Sequence, residues 1–293
     1  MRKKPTEVAK EIWDLTRGAF VSWDRDNAFQ LAAAMAFYAV FSAAPLVIIA
    51  MAIAGSVFGE KAARGQIAVQ VENLVGKAGA QVIETVLANA RVRSHFATFL
   101  GIVTLIFCAT TVFAYLHGAL NQIWNVPAKP GGAVRLFIKK RLLSFAMVLI
   151  SGFFLLVSLI TTTALSAVME YMPELFRIPN YILYSVNFLV SFALGTLVFG
   201  ICYKILPDVH LFWRDIWIGA AVTSFLFTIG KLLIGFYLGH SSLGSSYGAA
   251  GSFLVLLVWI YYSAQVFFFG AEFTKVYILR QSSIRSIQNE EFI

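Results

Sequence analysis

DIWIGAAVTSFLFTIGKLLIGFYL, residues 215–238, and SFLVLLVWIYYSAQVFFFGAEFTKVY, residues 252–277, decide the fold. Each is apolar over more than the roughly 20 residues a helix needs to cross about 30 Å of hydrocarbon. A Ser/Gly-rich break at 240–251 separates them. An ionisable residue lies within each run, Lys231 in the first and Glu272 in the second. Placing such a group in hydrocarbon costs about 3 kcal/mol or more, so each marks a candidate functional position.

Four more apolar runs of this length lie upstream, at 31–58, 96–120, 142–168 and 181–203. None shows the strict alternation a strand would need. Only helices satisfy their own backbone within lipid, so the expectation is an all-α, polytopic bundle of six spans forming one domain over 1–293. Composition agrees: 59% of residues are hydrophobic and 13% charged, against about 25% charged in a soluble domain. The first run starts behind a charged segment and is too long for the apolar core of a cleavable signal, so the first span is expected to act as its own targeting signal.

Charge orients the spans. Arg2, Lys3, Lys4, Lys10, Arg17 and Arg25 precede the first. Lys129, Arg135, Lys139, Lys140 and Arg141 lie between the second and third, Lys204 and Arg214 between the fourth and fifth, and Lys275, Arg280 and Arg285 at the end of the sixth. Those sixteen face Lys61, Arg64, Lys77, Arg91, Arg93 and Arg177 on the other side. The positive-inside rule puts both termini in the cytoplasm of a multi-pass protein. The net charge of +8 then reflects membrane topology, and no nucleic-acid partner is expected.

Two segments outside the spans carry helical periodicity. Thr6 can cap a helix with Glu7 in its first turn, and Val8, Ile12, Leu15 and Ala19 follow on one face with Trp13 and Phe20 beside them. This predicts an interfacial helix on the cytoplasmic leaflet. In 61–90, Ile67, Val71, Leu74, Val75, Ala78, Val82 and Val86 form a second stripe, expected as outward-facing amphipathic helices broken near Gly76 and Gly79. They would cap the outer ends of the spans or form a lid over an outward cavity.

Catalytic signals are missing. His95, His117, His210 and His240 are scattered, and no H-x-H-x-D, H-E-x-x-H or G-x-S-x-G run occurs. Cys108 and Cys202 both fall inside spans with no metal or disulfide spacing. The expectation is a protein that is not an enzyme and holds no metal and no cofactor.

Four segments carry a resemblance: AAAMAFYAVFSAAPLVI (32–48), NQIWNVP (121–127), YKILPDV (203–209) and YGAAGSFLVLLVWIYYSAQVFFFGAEFTKVY (247–277). Together they resemble the YihY/BrkB family of bacterial inner-membrane proteins, and the likeness covers essentially the whole chain. It implies a polytopic membrane protein of unsettled activity. The family takes part of its name from a virulence factor linked to serum resistance. Some members are connected with lipid or lipopolysaccharide-precursor traffic. A tRNA-processing ribonuclease label was also once attached, and the scattered histidines speak against it, because metal-dependent cleavage needs clustered ligands.

Depth along the helices supplies the rest. At about 1.5 Å per residue, Lys231 falls about 25 Å into the fifth span, near the outer face, with Asn187 of the fourth at a comparable level. Tyr261 and Tyr262 fall near the middle of the sixth, with Gln265 a turn deeper. Lys231 has no acid at its depth. It snorkels, meets Asn187 or tyrosine hydroxyls, or lines a wet cavity. Glu272 lies by the cytoplasmic end, where Arg25, Lys204 or Arg214 is expected to pair with it or couple to it.

Small residues (Ala32, Ala36, Ala39 and Ala43; Gly219, Gly230 and Gly235; Gly270 one turn above Thr274) mark close helix contacts. Pro45 predicts a kink that frees the carbonyl of Phe41, with Ser42 available to bond it. The two exits IWNVPAK and YKILPDV, each followed by an aromatic-basic entry, form a weak internal echo.

The reading is an inner-membrane carrier of an anionic, lipid-like, amphipathic ligand. Its cavity would be lined by Lys231, Asn187, Gln265, Tyr261 and Tyr262. The alternative is a membrane scaffold that anchors partners for envelope biogenesis. Expected partners are membrane lipids, the anionic ligand, and a second copy of the chain or an envelope protein.

Overall fold

A computed structural model describes residues 5–42, 59, 95–127, 180–240 and 249–290. Among these every regular element is a helix and none is a strand. The helices are α1 (Pro5–Arg25), α2 (Ala28–Ser42), α3 (His95–Ile123), α4 (Asn180–Ile205), α5 (Trp213–His240) and α6 (Ala249–Glu290). Helices therefore occupy all or part of five of the six expected spans. The span expected at 142–168, the amphipathic helices at 61–90 and the kink at Pro45 lie outside the described residues. Phe188–Ile205 and Phe253–Gln281 are long and apolar enough to cross a membrane by length and composition.

Local sequence explains where the helices stop. Asn125 adopts φ +52°, which asparagine tolerates better than most residues. Val126 N–H then reaches back to Asn121 O at 2.9 Å and Asn125 N–H to Gln122 O at 3.0 Å, a Schellman cap, with Pro127 forbidding continuation. Pro207 ends α4 in the same way, because the residue before a proline is pushed out of the helical region. Asn27, at φ +55°, closes α1 through Asn27 N–H to Asp24 O. Its own carbonyl accepts from Gln30 and Leu31, starting α2. A bend of two residues, Asp26 and Asn27, thus joins α1 to α2.

α6 is longer than the apolar run that announced it. No glycine or proline follows Gly270 before Glu290, so nothing stops the helix when hydropathy falls. Its 42 residues rise about 63 Å. The extension gives α1 a partner. Leu15 and Ala19 bury against Phe273, Gly18 fits under Val276, Trp23 meets Phe269 edge-on at 6.5 Å, and Arg280 reaches Glu11 O and Asp14. The pairing is antiparallel. α1 is thus a helix docked along α6, and its exposed face carries Ile12, Trp13, Phe20 and Val21. The predicted stripe grouped Ile12 with Leu15 and Ala19, whereas here Leu15 and Ala19 are buried and Ile12 is exposed. Sequence period finds a face but not the helix it meets.

α4 packs on α5, α5 on α6, and α3 and α1 on α6. The main core gathers Leu120 and Ile123 of α3, Tyr203 of α4, Ile216 and Ala220 of α5, and Phe268 and Ala271 of α6. Between α5 and α6 the contact is reciprocal. Gly219 faces Thr274, and Gly270 faces Thr223, so closely that a Cβ on either glycine would collide with the threonine hydroxyl opposite. Each threonine bonds back to its own helix, Thr223 Oγ1 to Gly219 O and Thr274 Oγ1 to Gly270 O, both at 2.7 Å. Three turns along, Gly230 makes room for the ring of Tyr262.

Candidate functional site

The face of α6 that carries Tyr261, Gln265, Phe268 and Glu272 repeats at the helical period, and Lys275 follows at i+3 from Glu272. From Tyr261 to Glu272 the file climbs about 16 Å. Glu272 is completely buried and Lys275 nearly so. Lys275 Nζ stands 3.4 Å from Glu272 Oε2 and 2.9 Å from Asp26 Oδ2, where the α1–α2 bend delivers the aspartate. One ammonium therefore serves two carboxyls.

Its service is unequal. Lys275 donates a hydrogen bond to Asp26. Among the described residues no donor hydrogen-bonds either oxygen of Glu272. The Asp26 carboxyl stands within hydrogen-bonding reach of Glu272, so one acceptor faces another. Burial pushes the Asp26 carboxyl up. The hydrogen bond from Lys275, with the charges of Lys275 and Arg25, outweighs that and holds it below its ordinary value. Arg25, at 3.8 Å from Asp26 and largely exposed, links this cluster to the surface.

Glu272 therefore meets Lys275, and not the expected Arg25, Lys204 or Arg214. Arg25 reaches Asp26 instead. Lys204 donates to Leu211 O and lies 6.0 Å from the Trp213 ring, and Arg214 is exposed. The signal that could have found the pair is the i, i+3 spacing of Glu272 and Lys275, which sets opposite charges on neighbouring positions of one helix face. Asp26 carries no sequence signal, because its role depends on the bend at Asn27.

Gln265 lies two turns before Glu272 on α6. Both atoms of its amide are buried, and neither has a hydrogen-bond partner among the described residues. Tyr261 packs half-buried against the core on the same face. Tyr262 turns toward Gly230 of α5. Lys231, the next residue of α5, is exposed. Asn187 lies in α4, with its side chain outside the described residues. Of the five expected lining residues, Tyr261 and Gln265 share one face, Tyr262 sits at the α5 seam, and Lys231 stays at the helix surface. Ser42 is buried in α2.

A second polar cluster joins the two proline-ended exits. Asp208 N–H donates to Asn121 Oδ1 at 2.7 Å, and Asn121 Nδ2 donates to Asp208 Oδ2 at 3.2 Å. Buried His117, one turn up α3, sets Nδ1 against Leu206 O. With its proton there, Nε2 accepts from Asn121 Nδ2 at 3.2 Å, and Asp208 Oδ2 lies 3.4 Å away. Above these, the Tyr203 hydroxyl contacts Phe267 O at 2.7 Å and Thr223 Oγ1 at 2.9 Å. Thr223 is also bonded to Gly219 O, so two hydroxyl protons serve three short contacts.

A family model described as Virulence factor BrkB matches residues 19–291. Among curated proteins the chain is 27% identical over 203 residues to a UPF0761 membrane protein of Pseudomonas aeruginosa (strain LESB58), covering 68% of this chain and 46% of that one. It is 25% identical over 268 residues to a UPF0761 membrane protein of Alcanivorax borkumensis, covering 90% of this chain and 60% of that one. A UPF0761 membrane protein of Tolumonas auensis is 27% identical over 195 residues, 62% of this chain and 61% of the relative. The chain thus spans about half to three-fifths of the length of these relatives. No solved structure matches it.

Proposed function

The chain belongs to the Virulence factor BrkB family of membrane proteins, and on that footing we propose that it is a carrier, not an enzyme, moving an amphipathic, lipid-like ligand with an anionic head between its helices. The observation that carries this reading is Gln265. Its amide can form four hydrogen bonds, and it is buried with none among the described residues. An unmet buried polar group costs about 1–3 kcal/mol. A polar side chain held inside a membrane protein at that cost fits a pathway better than packing, since a ligand head or the water ahead of it would satisfy the amide. Lys231, exposed beside the Gly230–Tyr262 contact, would supply the positive charge for the head.

The topology proposed with this is six spans in the bacterial inner membrane, both termini cytoplasmic. α1 and the far end of α6 touch, which supports placing them on one side and so an even number of crossings. The sixteen basic residues support the cytoplasm as that side. The second reading, a scaffold for envelope proteins or for a second copy of the chain, draws support from the interlocked Gly–Thr contact, which favours a rigid body.

Reconstitution decides between them. Liposomes holding the full chain and a fluorescent anionic phospholipid are treated with an impermeant quencher. Wild type should expose inner-leaflet dye faster than empty liposomes. Gln265→Leu and Lys231→Met should each slow this about tenfold while keeping the fold, the equivalent of one lost hydrogen bond or charge contact in the rate-limiting state. Dye exposure no faster than in empty liposomes would sink the carrier and leave the scaffold.

A further inference from the structure

Two carboxyls and one ammonium meet where α1, α2 and α6 converge, and their charges do not balance. With Asp26 and Glu272 both ionised, Lys275 alone would face two negative charges, because Arg25 meets Asp26 at 3.8 Å from a largely exposed position and is not among the groups that act on Glu272. Glu272 is 0% exposed, and no donor among the described residues bonds its oxygens. An isolated carboxylate in such a place is strongly disfavoured, and the usual remedy is a bound cation or a proton. Lys275 Nζ already stands against both carboxyls, 2.9 Å from one and 3.4 Å from the other, so a metal ion brought to both would meet an ammonium there. A proton needs no such room. On Glu272 it would also turn the acceptor–acceptor contact with Asp26 into a donated hydrogen bond.

We propose that Asp26, Lys275 and Glu272 form a proton-binding site, in which a neutral Glu272 carboxyl donates to the Asp26 carboxylate while Lys275 compensates Asp26. The charges then sum to zero. The proton comes from the aqueous side through Asp26, whose side chain is 13% exposed and adjoins the largely exposed Arg25, and it returns the same way. Among the described residues, Asp26 and Lys275 are the charged groups that act on Glu272. Asp215, on the packed helix α5, is not among them, and His117 of α3 is engaged with Leu206, Asn121 and Asp208. The site stands whether or not a ligand moves through the bundle.

Infrared spectroscopy of the full chain in lipid nanodiscs tests it. At neutral pH the wild type should show the carbonyl stretch of a protonated carboxyl, shifted in deuterated water. Glu272→Gln should remove it. Asp26→Asn should remove it too, because one ammonium then balances one carboxylate and Glu272 can release its proton. Absence of the band in wild type, or its survival in either variant, would overturn the proposal. Melting provides a second readout. Glu272→Gln mimics the neutral acid, so at pH 6 it should melt within about 2 °C of wild type and lack the wild type's loss of stability as pH rises. A Glu272→Gln protein as unstable at pH 6 as Glu272→Ala would show that the charge itself is needed and would also overturn it. Should Glu272→Gln not fold, the wild-type and Asp26→Asn spectra still decide.

Discussion

Lys275 sets one ammonium against both Asp26 and Glu272. Removing one member of a buried ion pair costs about 3–5 kcal/mol, because its partner stays buried and unpaired. Lys275→Ala is therefore expected to fall at the top of that range, with Asp26→Asn milder since it removes a charge as well as an acceptor. The acid limb follows from Asp26, which lies in the bend outside the long apolar helices. Its carboxyl is held below the ordinary 3.8, so the unfolded chain takes up the proton first. Its contribution to stability is full above 3.8 and is lost as the pH drops through the lower native value. Melting temperatures recorded from pH 6 downward should converge for wild type and Asp26→Asn. Curves that stay parallel would refute the assignment.

Helices and their close approaches were largely legible in the sequence, because hydropathy, small residues and proline act locally. Gly219, Gly230 and Gly270 were marked for contact by size alone, and each faces a side chain that leaves no space for a Cβ. The pairing partners were not legible. Nothing in the local sequence says that Gly219 should meet Thr274, or that Glu272 should meet a bend 246 positions earlier. The two exits form a weak echo in the sequence, and nothing in it says that they meet, as they do through Asn121 and Asp208. For the reciprocal contact, Gly219→Ala should cost about 1–3 kcal/mol through overpacking. Thr274→Ala in the same chain should recover a good part of that, since it removes the clashing hydroxyl. Additive losses in the double variant, measured by thermal unfolding, would show that the two positions do not touch.

At the scale of the molecule, the contact of Arg280 with Glu11 and Asp14 ties the first helix to the last. If the long apolar helices cross the bilayer, this tie requires an even number of crossings between them. Single cysteines in an otherwise cysteine-free chain should then separate cleanly under an impermeant reagent added from the periplasmic side. Ser242 and Gly79 should react, and Ser283 and Lys129 should stay silent until the membrane is opened. Reaction at Ser283 in intact cells would reverse the proposed orientation. Reaction at Ser283 but not at an N-terminal probe would break the parity argument altogether.

That same tie sets an order of events during synthesis. Trp23 leaves the ribosome early, yet Phe269, the ring it rests on, is made about 250 residues later, an interval of about 12–50 s at 5–20 residues per second. For that time Leu15, Ala19 and Trp23 have no helix to cover them. The first helix must therefore wait, against the lipid surface or in the hold of a chaperone, until the last one arrives. Its spare apolar side chains, Ile12, Trp13, Phe20 and Val21, give it the means to wait at the membrane.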